Sequence, residues 1–200
     1  MQAWAAFASA GAIIYAAHKG SATLRAWKRQ KLEERRMDAA ERVLIVAYRV
    51  RGALIDVRRP GIGAIEDIQA EQTLRASKFW EGLNSAQKER HRASEVTTRR
   101  LAAYKSTWEA ILEIAPIARA YFGDAVSNDL DRLWDQYLRV MIAAGATPTS
   151  VDEGRREWDA DVLCSLGRDI SGGPGDVVGP SVQAAVESLE RILIPIIRAD

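Results

Sequence analysis

A long stretch without proline, from Leu24 to Arg59, constrains the fold of this chain most strongly. Apolar residues recur in it at steps of three and four, which places them on one side of an α-helix. This apolar stripe consists of Met37, Ala40, Val43, Leu44, Ala47, Val50 and Leu54. Pro60 ends the helix because proline has no backbone N–H to donate, and the glycines of "RRPGIG" permit a turn. The sequence therefore predicts a long helix with one buried side.

The rest of the chain repeats this pattern in shorter segments. Of its 200 residues, 48% are hydrophobic and 28% are charged, with 14 glycines and 6 prolines, as is typical of a folded helical protein. Further helices are predicted within residues 64–83, 84–116, 125–144, 150–167 and 181–197. We therefore expect an all-α fold, in which an N-terminal membrane helix continues into a mainly antiparallel bundle of five or six helices.

Several local features place the ends and the buried sides of these helices. Asn84 with Gln87, and Ser150 with Glu153, have the spacing of capping boxes and predict two helix starts. Pro116 predicts an end or a kink, and Gly123 predicts a C-terminal cap. We expect the following side chains to be buried: Ile65, Ile68, Phe79, Trp134, Tyr137, Leu138, Met141 and Ile142. His91 is expected to be solvated beside Glu95, one turn later.

The first 17 residues carry no charged side chain and form the candidate membrane anchor. As a helix they would span about 25 Å, against about 30 Å for the hydrocarbon core of a bilayer. No basic residue precedes the apolar run, which argues against a cleaved signal peptide. The side chains expected to hold the anchor in the membrane are Trp4, Phe7, Ile13, Ile14 and Tyr15.

Basic residues follow this apolar segment directly. They are Lys19, Arg25, Lys28, Arg29, Lys31, Arg35 and Arg36. Because cations prefer the cytoplasmic side, this order predicts a single span of the inner membrane, with the N-terminus outside. Residues 1–23 are then the anchor and its edge, and residues 24–200 form a helical cytoplasmic domain. The alternative is an apolar helix buried in a soluble bundle or oligomer.

The charge balance changes along the chain. Residues 19–59 carry 12 basic and 5 acidic side chains, whereas residues 124–200 carry 7 basic and 14 acidic ones. The positive charge thus lies next to the apolar N-terminus, where membrane lipid would be the partner. Nucleic acid is a weaker candidate, because Glu33 and Glu34 interrupt the basic run "WKRQKLEERR".

Three segments carry a resemblance to known proteins: "ERVLIVAYRVRGAL", "IARAYFGDAVSNDLDRLWDQYL" and "VESLERILIPIIRAD". In these segments the chain resembles a loose group of uncharacterised bacterial proteins with a short N-terminal anchor and a helical cytoplasmic domain. The resemblance implies a topology and no activity.

No catalytic, cofactor or metal motif is readable in the sequence. His18 and His91 lie far apart, and Cys164 lies among apolar residues that favour a buried thiol. We therefore predict a non-enzymatic interaction, scaffold or sensor protein that binds a protein partner or itself. The alternative is a soluble oligomeric helical protein that binds proteins or associates with nucleic acid.

Overall fold

A computed structural model of the chain describes the backbone of residues 2–145 and 175–198, and the side chains of residues 23–145 and 175–198. These residues contain α-helices and one 3-10 turn, Trp80–Gly82, but no strand. The α-helices are α1 (Gln2–Val57), α2 (Ala64–Arg75), α3 (Ser85–Ala103), α4 (Lys105–Phe122), α5 (Asp124–Gly145) and α6 (Val178–Ile197). The prediction of an all-helical protein is confirmed. The helix predicted at 150–167, with Trp158 and Cys164, lies outside the described residues.

The core lies inside a ring of four helices. α1 packs against α4 and α6, and α5 packs against the same two helices from the other side. The predicted stripe of α1 faces this core: Met37 is half-buried, and the other six residues are buried. The largest fully buried partners of the stripe are Ile111 on α4, Leu130 and Leu133 on α5, and Leu189 and Leu193 on α6.

α3 packs on the outside of this ring, against α5 and α1, and α2 packs on α3. One prediction for α2 is wrong. Ile65 and Ile68 are 73% and 55% exposed, and α2 buries Ala70 and Leu74 instead. The helix ends at Arg75, and the chain then turns so that Trp80 becomes buried. The buried apolar side chains of this segment are therefore Ala70, Leu74 and Trp80 instead of the two isoleucines.

The helix predicted from Asn84 to Pro116 is two helices. α3 begins with the predicted capping box, since Asn84 and Gln87 exchange hydrogen bonds of 2.9 Å. It ends at Ala103, and α4 follows after Tyr104. Pro116 lies inside α4 with its ring exposed and does not end the helix; Gly123, at φ +78°, does.

One prediction of exposure and two predictions of burial are also wrong. His91 is buried, with its ring centroid 5.4 Å from that of Phe79, so contact with another element outweighs its local pairing with Glu95. Met141 and Ile142 were expected to be buried but are exposed. α5 points Val140, Ala143 and Ala144 inward instead, which shifts its buried side by about one residue.

Arg100 on α3 holds the connection between α1 and α2. Its guanidinium donates hydrogen bonds of 2.9 and 2.7 Å to the carboxylate of Glu66. It also donates to the carbonyl oxygens of Arg59, at 3.1 Å, and Gly61, at 3.0 Å. The hydrogen bonds that Glu66 accepts from Arg100, from the Gly63 amide and from Arg59 lower its pKa to about 2. One side chain thus fixes the end of α1, the turn and the start of α2 on α3.

Arg58 makes a second connection, between α1 and α6. Its buried guanidinium forms an ion pair with Asp176. The same carboxylate accepts hydrogen bonds from the amides of Val178, at 2.9 Å, and Gly179, at 3.1 Å, at the start of α6. Burial alone would raise the pKa of Asp176, but Arg58 and the two amides lower it overall. The end of α1 therefore sets where α6 begins.

We expect Arg100→Lys to lower the free energy of unfolding by about 2 to 4 kcal/mol, because lysine cannot satisfy a carboxylate and several carbonyls at once. Arg75→Lys is the matched control: Arg75 is exposed and pairs with Glu71 within the same helix. It should change the free energy by less than about 0.5 kcal/mol. Chemical denaturation followed by circular dichroism measures both, and equal losses would contradict the role given to Arg100.

The lowered pKa of Glu66 predicts a dependence of stability on pH. The ionised carboxylate stabilises the fold fully above its ordinary pKa of 4.5, and this contribution is lost as the pH falls towards about 2. The difference in unfolding free energy between the wild type and Glu66→Gln should therefore be large at pH 6 and should shrink as the pH approaches 2. Glu109→Gln, on the exposed side of α4, is the control. A difference that does not depend on pH would refute this assignment.

Candidate functional site

Residues 23–36 of α1 extend beyond the ring and form the first candidate surface, which we call the basic stalk. All of their side chains are exposed except that of Glu34, which is half-buried. Six of the fourteen residues are basic and two are acidic. Leu24, Trp27 and Leu32 are among the exposed side chains, although such residues are usually covered. The stalk therefore presents large apolar and cationic groups together.

On one side of the basic stalk, the large apolar side chains and the cationic side chains lie closest together. Trp27, Lys28, Lys31, Leu32 and Arg35 line a shallow depression of about 270 Å³. Their spacing of one, three, one and three residues places them along the same side of the helix. Lys31 forms an ion pair with Glu34 at 2.9 Å, and the hydrogen bond and charge of Lys31 lower the pKa of that carboxyl.

The base of the basic stalk contacts the ring. The guanidinium of Arg36 lies 5.9 Å from the ring centroid of Phe122, at the end of α4. From Ala39 onward the inner side of α1 is buried. Because α1 has no break between Gln2 and Val57, the direction of the stalk is fixed by the packed half of the same helix.

The predicted membrane residues divide into two groups. Six of the seven predicted cations lie on the basic stalk and are exposed, the exception being Lys19. The backbone of Trp4, Phe7, Ile13, Ile14, Tyr15 and Lys19 belongs to α1, but their side chains lie outside the described residues. Among the described parts of the chain, no helix has both the length and the hydropathy needed to cross a bilayer.

The second candidate surface is an open groove of about 550 Å³ between α3, α4 and α5, which we call the aromatic groove. Its principal lining residues are Leu101, Trp108, Leu112, Trp134, Tyr137 and Met141. The exposed position of Met141, which the sequence did not predict, thus belongs to one wall of the groove. Lys105 and Glu109 contribute charged groups at its edge, 3.6 Å apart.

The aromatic rings of the groove are held in fixed positions. Trp108 stacks on Tyr137 with ring centroids 4.5 Å apart, and Trp134 lies 4.9 Å from the same tyrosine. Trp108 also donates from Nε1 to the carbonyl oxygen of Leu101, at 2.9 Å, so its buried polar atom is satisfied. This arrangement suits contact with an apolar partner.

No residue of the aromatic groove was predicted as part of a site. A sequence signal was nevertheless present, since Trp108 and Leu112 are four residues apart and Trp134 and Tyr137 are three apart. Each pair lies on one side of its helix, but only the packing of α4 against α5 brings the two pairs together. The described residues contain no candidate metal site, since no group of three or more of their His, Cys, Asp or Glu side chains could hold a metal ion.

Comparison with known proteins adds no assignment to these surfaces. No family model, curated protein or solved structure matches the chain. The resemblance to bacterial proteins with a short anchor therefore stays a prediction from the sequence.

Substitutions should distinguish Trp108, which is buried at the floor of the aromatic groove, from Trp134, which is half-buried at its wall. We expect Trp108→Phe to lower the free energy of unfolding by about 1 to 3 kcal/mol, because it removes the hydrogen bond to Leu101 and buried area. Trp134→Phe, at the half-buried wall, should cost less than about 1 kcal/mol. Urea denaturation measures both, and a larger loss for Trp134→Phe would reverse these roles.

Proposed function

We propose that this protein is a membrane-associated helical interaction protein, attached to an anionic bilayer through the N-terminal part of α1. The observation that carries the proposal is the basic stalk, where Trp27 and Leu32 lie exposed among Lys28, Lys31 and Arg35. The uncharged segment before the stalk supplies the apolar contact with lipid.

The combination of cationic and apolar side chains on the basic stalk favours binding to an anionic bilayer. Each lysine or arginine near an anionic bilayer contributes about 1 kcal/mol of attraction. Tryptophan and leucine favour the boundary between headgroups and acyl chains, and long basic side chains reach the headgroups from a helix lying there. The six cations of the basic stalk belong to one helix, and all of them lie close to the surface if this part of the helix runs along it.

The ring of helices is the interaction part of the protein in this proposal. Together with α3, it presents the apolar surface of the aromatic groove. The form of attachment that the sequence predicts is a single span of the inner membrane, with the N-terminus outside and the helical domain in the cytoplasm.

Vesicle flotation of the full-length protein tests the basic stalk. Vesicles of phosphatidylcholine with added phosphatidylglycerol should bind the protein more strongly than vesicles of phosphatidylcholine alone. The variant Lys28→Glu/Lys31→Glu/Arg35→Glu should bind the anionic vesicles at least about tenfold more weakly, since three attractions become repulsions. The matched control is Lys78→Glu/Arg90→Glu/Arg119→Glu, which reverses three exposed cations elsewhere and should bind as the wild type does. Equal binding by both triple variants would overturn the role of the stalk.

A second experiment addresses the apolar segment and the competing hypothesis of a soluble oligomer. Ile13→Asp/Ile14→Asp should release a folded protein from the membrane fraction of cells. If these isoleucines were instead buried in an oligomer, the same variant would aggregate or lose its oligomeric state. If the segment spans the membrane, the wild type should resist a carbonate wash. If the helix lies on the membrane surface, salt should release the protein.

A further inference from the structure

The aromatic groove begins where the chain passes out of the described residues. Gly145, the last residue of α5, is one of its lining residues, and the described residues resume at 175. The segment 146–174 therefore starts at the groove itself. Two apolar side chains of the groove are largely uncovered, since Leu112 is 54% and Met141 is 40% exposed.

This segment starts and finishes at the same end of the ring. Tyr104, which directly precedes α4, donates to Asp56 near the end of α1, at 2.9 Å. The first turn of α4 lines the groove together with Gly145. Asp176 lies at the end of α1 as well, because it is ion-paired with Arg58. The segment must therefore run out from this end of the ring and return to it.

The sequence of the segment predicts an amphipathic helix over 150–167, which lies outside the described residues. Side chains four residues apart share one side of a helix. The apolar row of this helix consists of Trp158, Val162 and Leu166. The acidic row, on the other side, consists of Glu153, Glu157 and Asp161. Such a helix needs an apolar surface for one side and water for the other.

We propose that this predicted helix packs into the aromatic groove, antiparallel to α5, with its apolar row facing the groove. Four residues, 146–149, connect it to α5, which is a common length between antiparallel helices. Trp158 then lies beside Tyr137, because the two residues are equally far from the middle of this connection. Val162, one turn further on, covers the exposed side chain of Leu112.

The chemistry of the groove suits this occupant. Trp108, Trp134 and Tyr137 already form a cluster in which ring centroids lie 4.5 and 4.9 Å apart. Trp158 would extend this cluster by one ring, and aromatic side chains favour such contacts. The acidic row would face water.

The length of the segment permits this path. A helix of 18 residues is about 27 Å long. The nine peptide links from Gly167 to Asp176 span about 30 Å when they are extended. The return to the end of α1 is therefore just possible, and the helix cannot run far beyond the groove.

The inference concerns the surface that the proposed function gives to a partner, and it rests on that function in one respect. While the helix is docked, it competes with the partner for the aromatic groove. Docking itself is measured on the full chain without lipid or partner. A failure to bind vesicles and a failure to dock are therefore separate results.

Disulfide cross-linking tests the docked position. In a Cys164→Ser background, Leu112→Cys/Val162→Cys should form an intramolecular disulfide on mild oxidation, because the two positions meet in the groove. Leu112→Cys/Glu157→Cys is the matched control: position 157 lies in the acidic row, so this pair should cross-link at least about tenfold more slowly. Non-reducing electrophoresis and mass spectrometry measure both. Equal rates for the two pairs, no cross-link, or a disulfide between two copies would overturn the proposal.

Limited proteolysis is a second measurement that needs no disulfide. Arg155 and Arg156 are trypsin sites within the predicted helix, and their cleavage requires the helix to leave the groove and unfold locally. Leu112→Asp should speed this cleavage at least about tenfold, because a carboxylate in the groove disfavours an apolar occupant. Ile55→Asp, a similarly exposed change on α1, should be cleaved as the wild type is. Unchanged cleavage of Leu112→Asp, or the same increase for both variants, would contradict docking.

Discussion

The arrangement of this protein depends on the guanidinium of Arg100. Its hydrogen bonds reach the carbonyl oxygens of Arg59 and Gly61 and the carboxylate of Glu66, so a turn of irregular backbone is satisfied by one buried side chain. Without it, the carbonyl groups of the turn would lose partners that α2 and α3 cannot replace. Because Arg58 lies in the same turn and fixes Asp176, the start of α6 depends on this connection as well.

The sequence predicted those parts of the fold that local rules determine. The stripe of α1 follows from its spacing, the start of α3 follows from the capping box of Asn84 and Gln87, and the end of α4 follows from Gly123. The break at Tyr104 could not be predicted in this way, since no proline or glycine marks it. It is stabilised by a hydrogen bond of 2.9 Å from Tyr104 to Asp56, 48 residues away, which no local pattern contains.

The two candidate surfaces also differ in whether a local sequence pattern could predict them. The basic stalk was predicted because its charges and apolar residues belong to one helix and one continuous segment. The aromatic groove was missed because its walls come from three helices, and because Met141 was counted as core. Periodicity locates the apolar side of a helix, but it does not say whether another element covers that side. The errors at Ile65 and Ile68 have this cause too.

The geometry of α1 divides one helix between packing and attachment. From Ala39 onward its inner side is committed to the ring, whereas the described side chains of the basic stalk remain open to other molecules. Both parts belong to one unbroken helix, so the packing of the inner side fixes the direction in which the stalk points. Attachment of the stalk to a bilayer would therefore also orient the ring relative to the surface.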